Sequence, residues 1–196
     1  MADLDRYAQP KRDAATLAAR REALLDQLGW LEDEATALAP LLAALPAWAT
    51  DQAPMPGDLT AKEVFASIAA TDRDVTTGWI ERVQAEDNPD LTTPEPNRAK
   101  GATAEGDGGA NDRPLPELLA DLKDARAGLR QSFEAVPPAA WSRPLVLDGT
   151  PTDLYGLALA VVQRDAERLK ALAYRLHEAD LRPRTPADDL PRPPSA

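Results

Sequence analysis

The chemistry open to this chain is set by a short list of side chains. It has one histidine, His177, and no cysteine among 196 residues. Thiol nucleophiles, zinc–thiolate sites, iron–sulfur clusters and disulfides are therefore excluded, as is a site drawing two imidazoles from one chain. Two acidic groupings, Glu32-Asp33-Glu34 and Asp72 with Asp74, carry the oxygen donors a hard cation takes. Acids in such runs ordinarily make a solvated helix face, and that is the simpler expectation. Of the tryptophans Trp30, Trp48, Trp79 and Trp141, Trp79 falls on an apolar stripe. Trp48 and Trp141 flank helix ends, where they either pack as cover or wall a pocket. His177, beside Arg175 and Glu178, is expected near a helix end, meeting the terminal carbonyls or standing in solvent. No phosphate-cradling glycine loop and no GxSxG elbow is present. Gly106-Asp107-Gly108-Gly109 has no strand before it and reads as linker.

The elements that must position these groups are helices. Alanine and leucine supply 38 and 27 residues, valine and isoleucine only 7 and 2. The first pair are good helix formers, whereas strands draw on β-branched residues. Proline breaks helix interiors, and it is missing from four long windows: 11–39, 57–88, 117–136 and 152–182. Each window carries apolar residues at steps of three and four. The first stripe is Leu17, Leu24, Leu28, Leu31, Ala35 and Leu38, with a kink or restart expected at Pro40. The second follows a capping box at Thr60-Ala61-Lys62-Glu63 and runs Val64, Ile68, Val75, Trp79, Val83, with Gly78 as a weak point. The third starts at Pro114 or Pro116, runs Leu118, Leu122, Ala125, Leu129, Phe133, Val136 and stops at Pro137-Pro138. The fourth is expected to start near Thr150-Pro151 with Thr150 as cap, and carries Leu154, Leu157, Val161, Leu169, Leu172 and Leu176.

Between the second and third windows, residues 86–113 hold seven acids against three bases. A connection that long is unusual between neighbours in a compact bundle. It predicts a long crossover, not a tight hairpin. Residues 181–196 are proline-rich and expected to be flexible. The net charge of −11 argues against nucleic acid or an anionic membrane as partner. The N-terminus has no apolar signal core, and the longest uncharged stretch, Ala35 to Thr50, is too short and too proline-broken to span a bilayer. A cytoplasmic protein is expected.

Two short runs resemble the DinB/YfiT-like superfamily. Leu59-Thr60-Ala61-Lys62-Glu63-Val64-Phe65-Ala66-Ser67-Ile68-Ala69 resembles that family's motif in helix two, and Val162-Gln163-Arg164-Asp165-Ala166-Glu167-Arg168-Leu169 its motif in helix four. Asp148-Gly149-Thr150-Pro151 resembles the glycine turn ahead of helix four. The resemblance covers about residues 15–178. It implies a four-helix bundle with a long crossover between helices two and three, the architecture that the proline windows and apolar periodicity predict on their own. It further implies dimers, and in many members a nickel or zinc ion held by one histidine of helix two and two of helix four. Some members are thiol-dependent transferases or isomerases.

This chain departs from that pattern at all three ligand positions, which match Ser67, Arg164 and Arg168. A guanidinium has no lone pair to give a metal. An arginine pair inside a bundle needs counter-charges or solvent. Glu63, one turn before Ser67, and Asp165 and Glu167 are the candidates. Three outcomes follow: ion pairs across a former metal cleft or side chains turned outward to water, a clamp for an anionic ligand such as a carboxylate or phosphate, or a carboxylate-only metal site. The sequence thus leads to an all-α DinB-like four-helix bundle over residues 1–180, homodimeric, with no cofactor and no metal. Its candidate pocket for a small anionic ligand is Ser67, Arg164, Arg168 and Glu63. Two other functions stay open: a small-molecule transferase or hydrolase with arginines in place of the metal, and an acidic protein-interaction module working through the 86–113 loop.

Overall fold

A computed structural model of the chain describes residues 13–53, 55, 58–93 and 109–181, with backbone alone for 178–181. Helix α1, Ala14–Ala43, is capped by Asp13, whose Oδ1 accepts from the Thr16 amide at 3.0 Å. Leu24, Leu28, Leu31, Ala35 and Leu42 form its buried stripe. The helix runs through Pro40, where a kink or restart was expected. Pro40 lies on the exposed side of the last turns, so its missing N–H costs a single bond. A short helix α2, Ala47–Asp51, follows. Next come α3, Ala61–Ala70, a π-helical turn at Thr71–Thr76 and α4, Thr77–Ala85, which together make one continuous rod. The capping box is present: the Thr60 amide donates to Glu63 Oε2 at 2.7 Å, and the Glu63 amide to Thr60 Oγ1 at 3.1 Å. The irregularity expected at Gly78 sits one turn earlier, in the π segment. Helix α5, Leu115–Ala135, has Pro114 as its N-cap and Val136 as its C-cap, and its six predicted stripe residues are all buried. Helix α6, Leu154–Leu181, completes the four long rods.

The packing fixes their directions. Arg21 of α1 donates to the Glu134 carbonyl of α5 (2.9 Å), and Arg126 of α5 to the Leu31 carbonyl of α1 (2.5 Å), so α1 and α5 are antiparallel. Asn111, just ahead of α5, accepts from the Thr60 hydroxyl at 2.7 Å, and its carbonyl accepts from Lys62 Nζ at 3.1 Å. The second rod and α5 therefore start at the same end and run parallel. That arrangement requires the long crossover predicted from residues 86–113. Its middle, 94–108, lies outside the described residues, as do most of the glycine-rich linker and the tail expected at 181–196, except that Leu181 still belongs to α6.

A small sheet, unexpected from the composition, sits at one end of this helical fold. Strand β1, Asp90–Leu91, pairs in parallel with β2, Pro144–Leu147, and β2 pairs antiparallel with β3, Thr150–Asp153. Asp148 and Gly149 join β2 to β3 with φ of 51° and 75°, as a two-residue hairpin turn demands. The sheet corrects the start of α6. Thr150 is a strand residue, and Asp153 caps the helix by accepting from the Gly156 amide at 3.1 Å. Trp141 is fully buried against Phe133 and Tyr155, with ring centroids 5.7 and 5.1 Å away, so it packs in the core. Trp79 is buried as expected, Trp48 is half-buried and Trp30 is exposed. His177 is exposed, and α6 continues past it. No helix among the described residues is long and apolar enough to cross a membrane.

Gly156 lies against the side chain of Thr152, and a Cβ built there would collide with the Thr152 hydroxyl and approach its Cβ to 3.2 Å. The stiff β-branched side chain has little room to give. Gly156→Ala is expected to destabilise the fold by about 1–3 kcal/mol, and adding Thr152→Ala should restore most of the loss. Urea unfolding of the two variants measures both effects.

Candidate functional site

Three charged residues occupy positions on apolar stripes. Asp72 follows Phe65, Ile68 and Ala69 on the second rod and is 0 % exposed. Asp165 lies between Val161 and Leu169 on α6 and is 1 % exposed. Arg126 lies between Leu122 and Leu129 on α5 and is 3 % exposed. Asp72 belongs to the π turn. There the Thr77 amide bonds back to the Asp72 carbonyl, five residues away, and the Thr77 hydroxyl donates to the same oxygen at 3.0 Å. The Thr76 hydroxyl donates to the Thr71 carbonyl at 3.2 Å. Two threonine hydroxyls thus satisfy carbonyls that the wider turn loosens. The insertion of a residue is what such a turn adds to a helix, and it is often found at functional sites.

These groups meet Arg164. Its Nη2 lies 3.1 Å from Asp72 Oδ1, and its Nε lies 3.0 Å from Asp165 Oδ1. One guanidinium therefore bridges two buried carboxylates from different rods. On the far side Arg126 Nη2 stands 3.5 Å from Asp165 Oδ2. Arg168, one turn along α6, completes the cluster. With both carboxylates ionised the five groups sum to +1. Asp72 Oδ2, Arg126 Nε and Arg168 Nη1 are buried without a hydrogen-bond partner among the described residues. Burial pushes the Asp72 carboxyl from 3.8 up to about 7, and the neighbouring Asp165 charge adds to the rise against the pull of Arg164, Arg126 and Arg168. Burial, and then Arg164, lower the Arg168 guanidinium.

A cavity of about 200 Å³ opens next to the cluster, between α3 and the second half of α6. Ser67 and Arg168 line it, with Arg175, Leu59, Val64 and Leu172. Of the four residues proposed from sequence, Ser67 and Arg168 thus share a cavity. Arg164 sits one turn deeper and is committed to Asp72 and Asp165. Glu63 is elsewhere: its carboxylate closes the capping box and accepts from Asn111 Nδ2 at 3.2 Å. Glu167, offered as a counter-charge, is exposed. The partner on the opposite rod is Asp72, which the sequence placed on a solvated face with Asp74. Only Asp74 is exposed. The signal for Asp72, and for the unnoticed Arg126, is a charge standing in register with an apolar stripe.

The residues at this position do not fit a metal ion. The two α6 positions facing the second rod present guanidinium groups, and the two carboxylates already share Arg164. Among the described residues no three histidine, aspartate or glutamate side chains converge to hold one.

No protein-family profile matches the chain, and no curated protein matches it. Among solved structures it is similar to YfiT from Bacillus subtilis, described as a probable metal-dependent hydrolase with an unusual four-helix bundle topology. The TM-score is 0.57 at 11 % identity, over 88 % of this chain and 90 % of that one. The likeness is one of fold, and the four-helix bundle expected from sequence is the architecture found.

The raised Asp72 fixes the sign of a pH effect on stability. Between about pH 4 and 7 the folded chain holds a proton on Asp72 that the unfolded chain has released. This group's contribution therefore falls as pH rises through that window, by at most ~1.4 kcal/mol per pH unit, and levels off above it. Asp72→Asn should remove that component. Subtracting the variant's unfolding free energy from the parent's at each pH isolates it, and parallel profiles would refute the assignment.

Proposed function

We propose that this chain is a DinB/YfiT-like bundle without the family's three-histidine metal centre, and that it binds a small anion, a carboxylate or a phosphate, in the cavity between Ser67 and Arg168. The observation that carries the reading is the state of Arg168. Its Nη1 is buried, lacks an acceptor among the described residues, and belongs to a side chain that lines a cavity. A buried donor left unmade costs about 1–3 kcal/mol, and an anion supplies the missing acceptor with a charge-assisted bond. Arg175 adds a second cation to the same wall, and Ser67 a hydroxyl. The remaining lining is apolar, which strengthens the interaction by excluding water.

Arg164 and Arg168 have different tasks in this reading. Arg164 bonds two carboxylates, so Arg164→Met strands Asp72, leaves Asp165 with Arg126 alone, and should cost about 3–5 kcal/mol of stability. Arg168→Met removes an unsatisfied donor and should leave stability nearly unchanged while abolishing anion binding. Acetate and inorganic phosphate are the probes, titrated by calorimetry, and together they separate carboxylate from phosphate preference. Binding is expected to tighten from pH 8 to pH 6 for acetate, because an anion on Arg168 offsets the cation's help to ionised Asp72 and favours its protonation. The gain is at most tenfold per pH unit. Absence of saturable binding by either anion, or equal binding by Arg168→Met, overturns the ligand reading. Stoichiometric nickel or zinc in protein purified from metal-supplemented culture overturns the metal-free one.

A further inference from the structure

At the other end of the bundle, where α1 and α6 both begin, a second cavity of about 320 Å³ lies between α1, the 3-10 turn Pro138–Ser142 and Tyr155. It is the larger of the two and within the size range of small-molecule sites, roughly 300–1,000 Å³. Leu17, Ala18 and Pro138 supply apolar walls, and Arg21, Ser142 and Tyr155 the polar groups.

Arg21 is the unusual member. Its guanidinium carbon lies 5.3 Å from the centre of the Trp141 ring, and its Nη2 donates to the Glu134 carbonyl at 2.9 Å. These two contacts hold the planar group in one orientation before any ligand arrives. Its Nε is buried with no hydrogen-bond partner, and no carboxylate pairs with Arg21 among the described residues. In a chain with 33 acids and 22 bases, an arginine held in place but left without a counter-charge stands out. Arg20 lies over the Tyr155 ring at 5.2 Å and adds positive potential at the same corner. The Tyr155 hydroxyl is already spent on the Leu17 carbonyl at 3.1 Å, so the tyrosine offers its ring.

We propose that this second cavity binds a small organic acid, its carboxylate taken by Arg21 and Ser142 and its apolar body lying against Leu17, Ala18 and Pro138. The chemistry selects the class. A monocarboxylate matches one lining guanidinium in charge and planar geometry, whereas a phosphate dianion lacks both a second lining cation and a use for the apolar wall. The inference is independent of the Arg168 cavity, since the two share no residue.

Benzoate and hexanoate are the probes, titrated into the full chain carrying Arg168→Met so that the first cavity contributes nothing. Saturable heat and a saturable change in tryptophan emission are expected. Trp141→Phe should remove the emission change and keep the heat. Arg21→Met should weaken binding at least tenfold, and Arg21→Lys should weaken it too, because an ammonium lacks the planar fork. Ala18→Phe fills the cavity from its apolar side, keeps Arg21, and should abolish binding. It also serves as the decisive variant if loss of Arg21 prevents folding. No saturable binding by either acid overturns the proposal, as does binding that Ala18→Phe and the Arg21 variants leave unchanged.

Discussion

The arrangement of this bundle turns on the burial of charge at its centre. Moving a carboxylate out of water costs several kcal/mol even after relaxation, and two are buried here, Asp72 and Asp165. They are tolerable because Arg164 stands between them with one nitrogen on each and Arg126 faces Asp165 from the other side. The geometry admits little slack. Sliding α6 by one turn would carry the Arg164 guanidinium about 5.4 Å from Asp72 and take Asp165, which moves with it, away from Arg126. Arg126 extends the constraint, reaching Asp165 on one side and the Leu31 carbonyl of α1 on the other. All four rods thus contribute a group to one polar knot. Leucine and alanine stripes are interchangeable under a shift of register, whereas this knot is not, so it supplies a specificity that the apolar core lacks.

The same requirement explains how the chain travels between its second and third rods. Running them in parallel places Arg126 and Asp72 on neighbouring rods, both against α6, and makes a hairpin between the two impossible. The crossover that results is fastened at both ends. At its start β1 pairs with β2, and the Asp148 carboxylate accepts from the Thr93 amide and hydroxyl at 2.6 Å each. Arg143 donates to the Gln84 and Glu86 carbonyls beside it. At its far end Asn111 joins the capping box of α3. The small sheet is therefore a clasp on the connection.

Much of this was legible in the sequence. Six stripe residues of α5, from Leu118 to Val136, are all buried, and the prolines bracket that helix to within a residue. The Thr60–Glu63 box was readable because it is a local device, as was the need for a crossover. Features that depend on distant partners were hidden. The strands are two to four residues long, too short for alternation to register, although Asp148-Gly149 is a hairpin signal whose force was missed. Asp72 beside Asp74 looks like a solvated pair, although Asp72 stands one turn after Ile68 on the buried stripe. The π turn shifts the register only beyond it, burying Thr76 in place of Val75. Asp165 and Arg164 are adjacent in sequence, yet the second carboxylate that Arg164 holds, Asp72, lies 92 residues away.

A centre built on guanidinium groups differs from a metal centre in what it can do. A metal ion between carboxylates neutralises them and still keeps positions open for a ligand. Arg164 neutralises them too, but its Nη2 and Nε are consumed in doing so, and its charge is tethered. Anion affinity in such a site has to come from a cation that the core does not need. The charge count decides which one. Three arginines face two carboxylates, so when both acids are ionised one positive charge is in excess. Arg164 is bonded to both acids and Arg126 to Asp165, leaving Arg168, whose Nη1 has no acceptor among the described residues, to carry it. Protonation of Asp72 raises the excess to two. In the proposed reading the affinity of the Ser67–Arg168 cavity is therefore set by a carboxyl that never touches the ligand, through the charge balance of the knot that holds the four rods together.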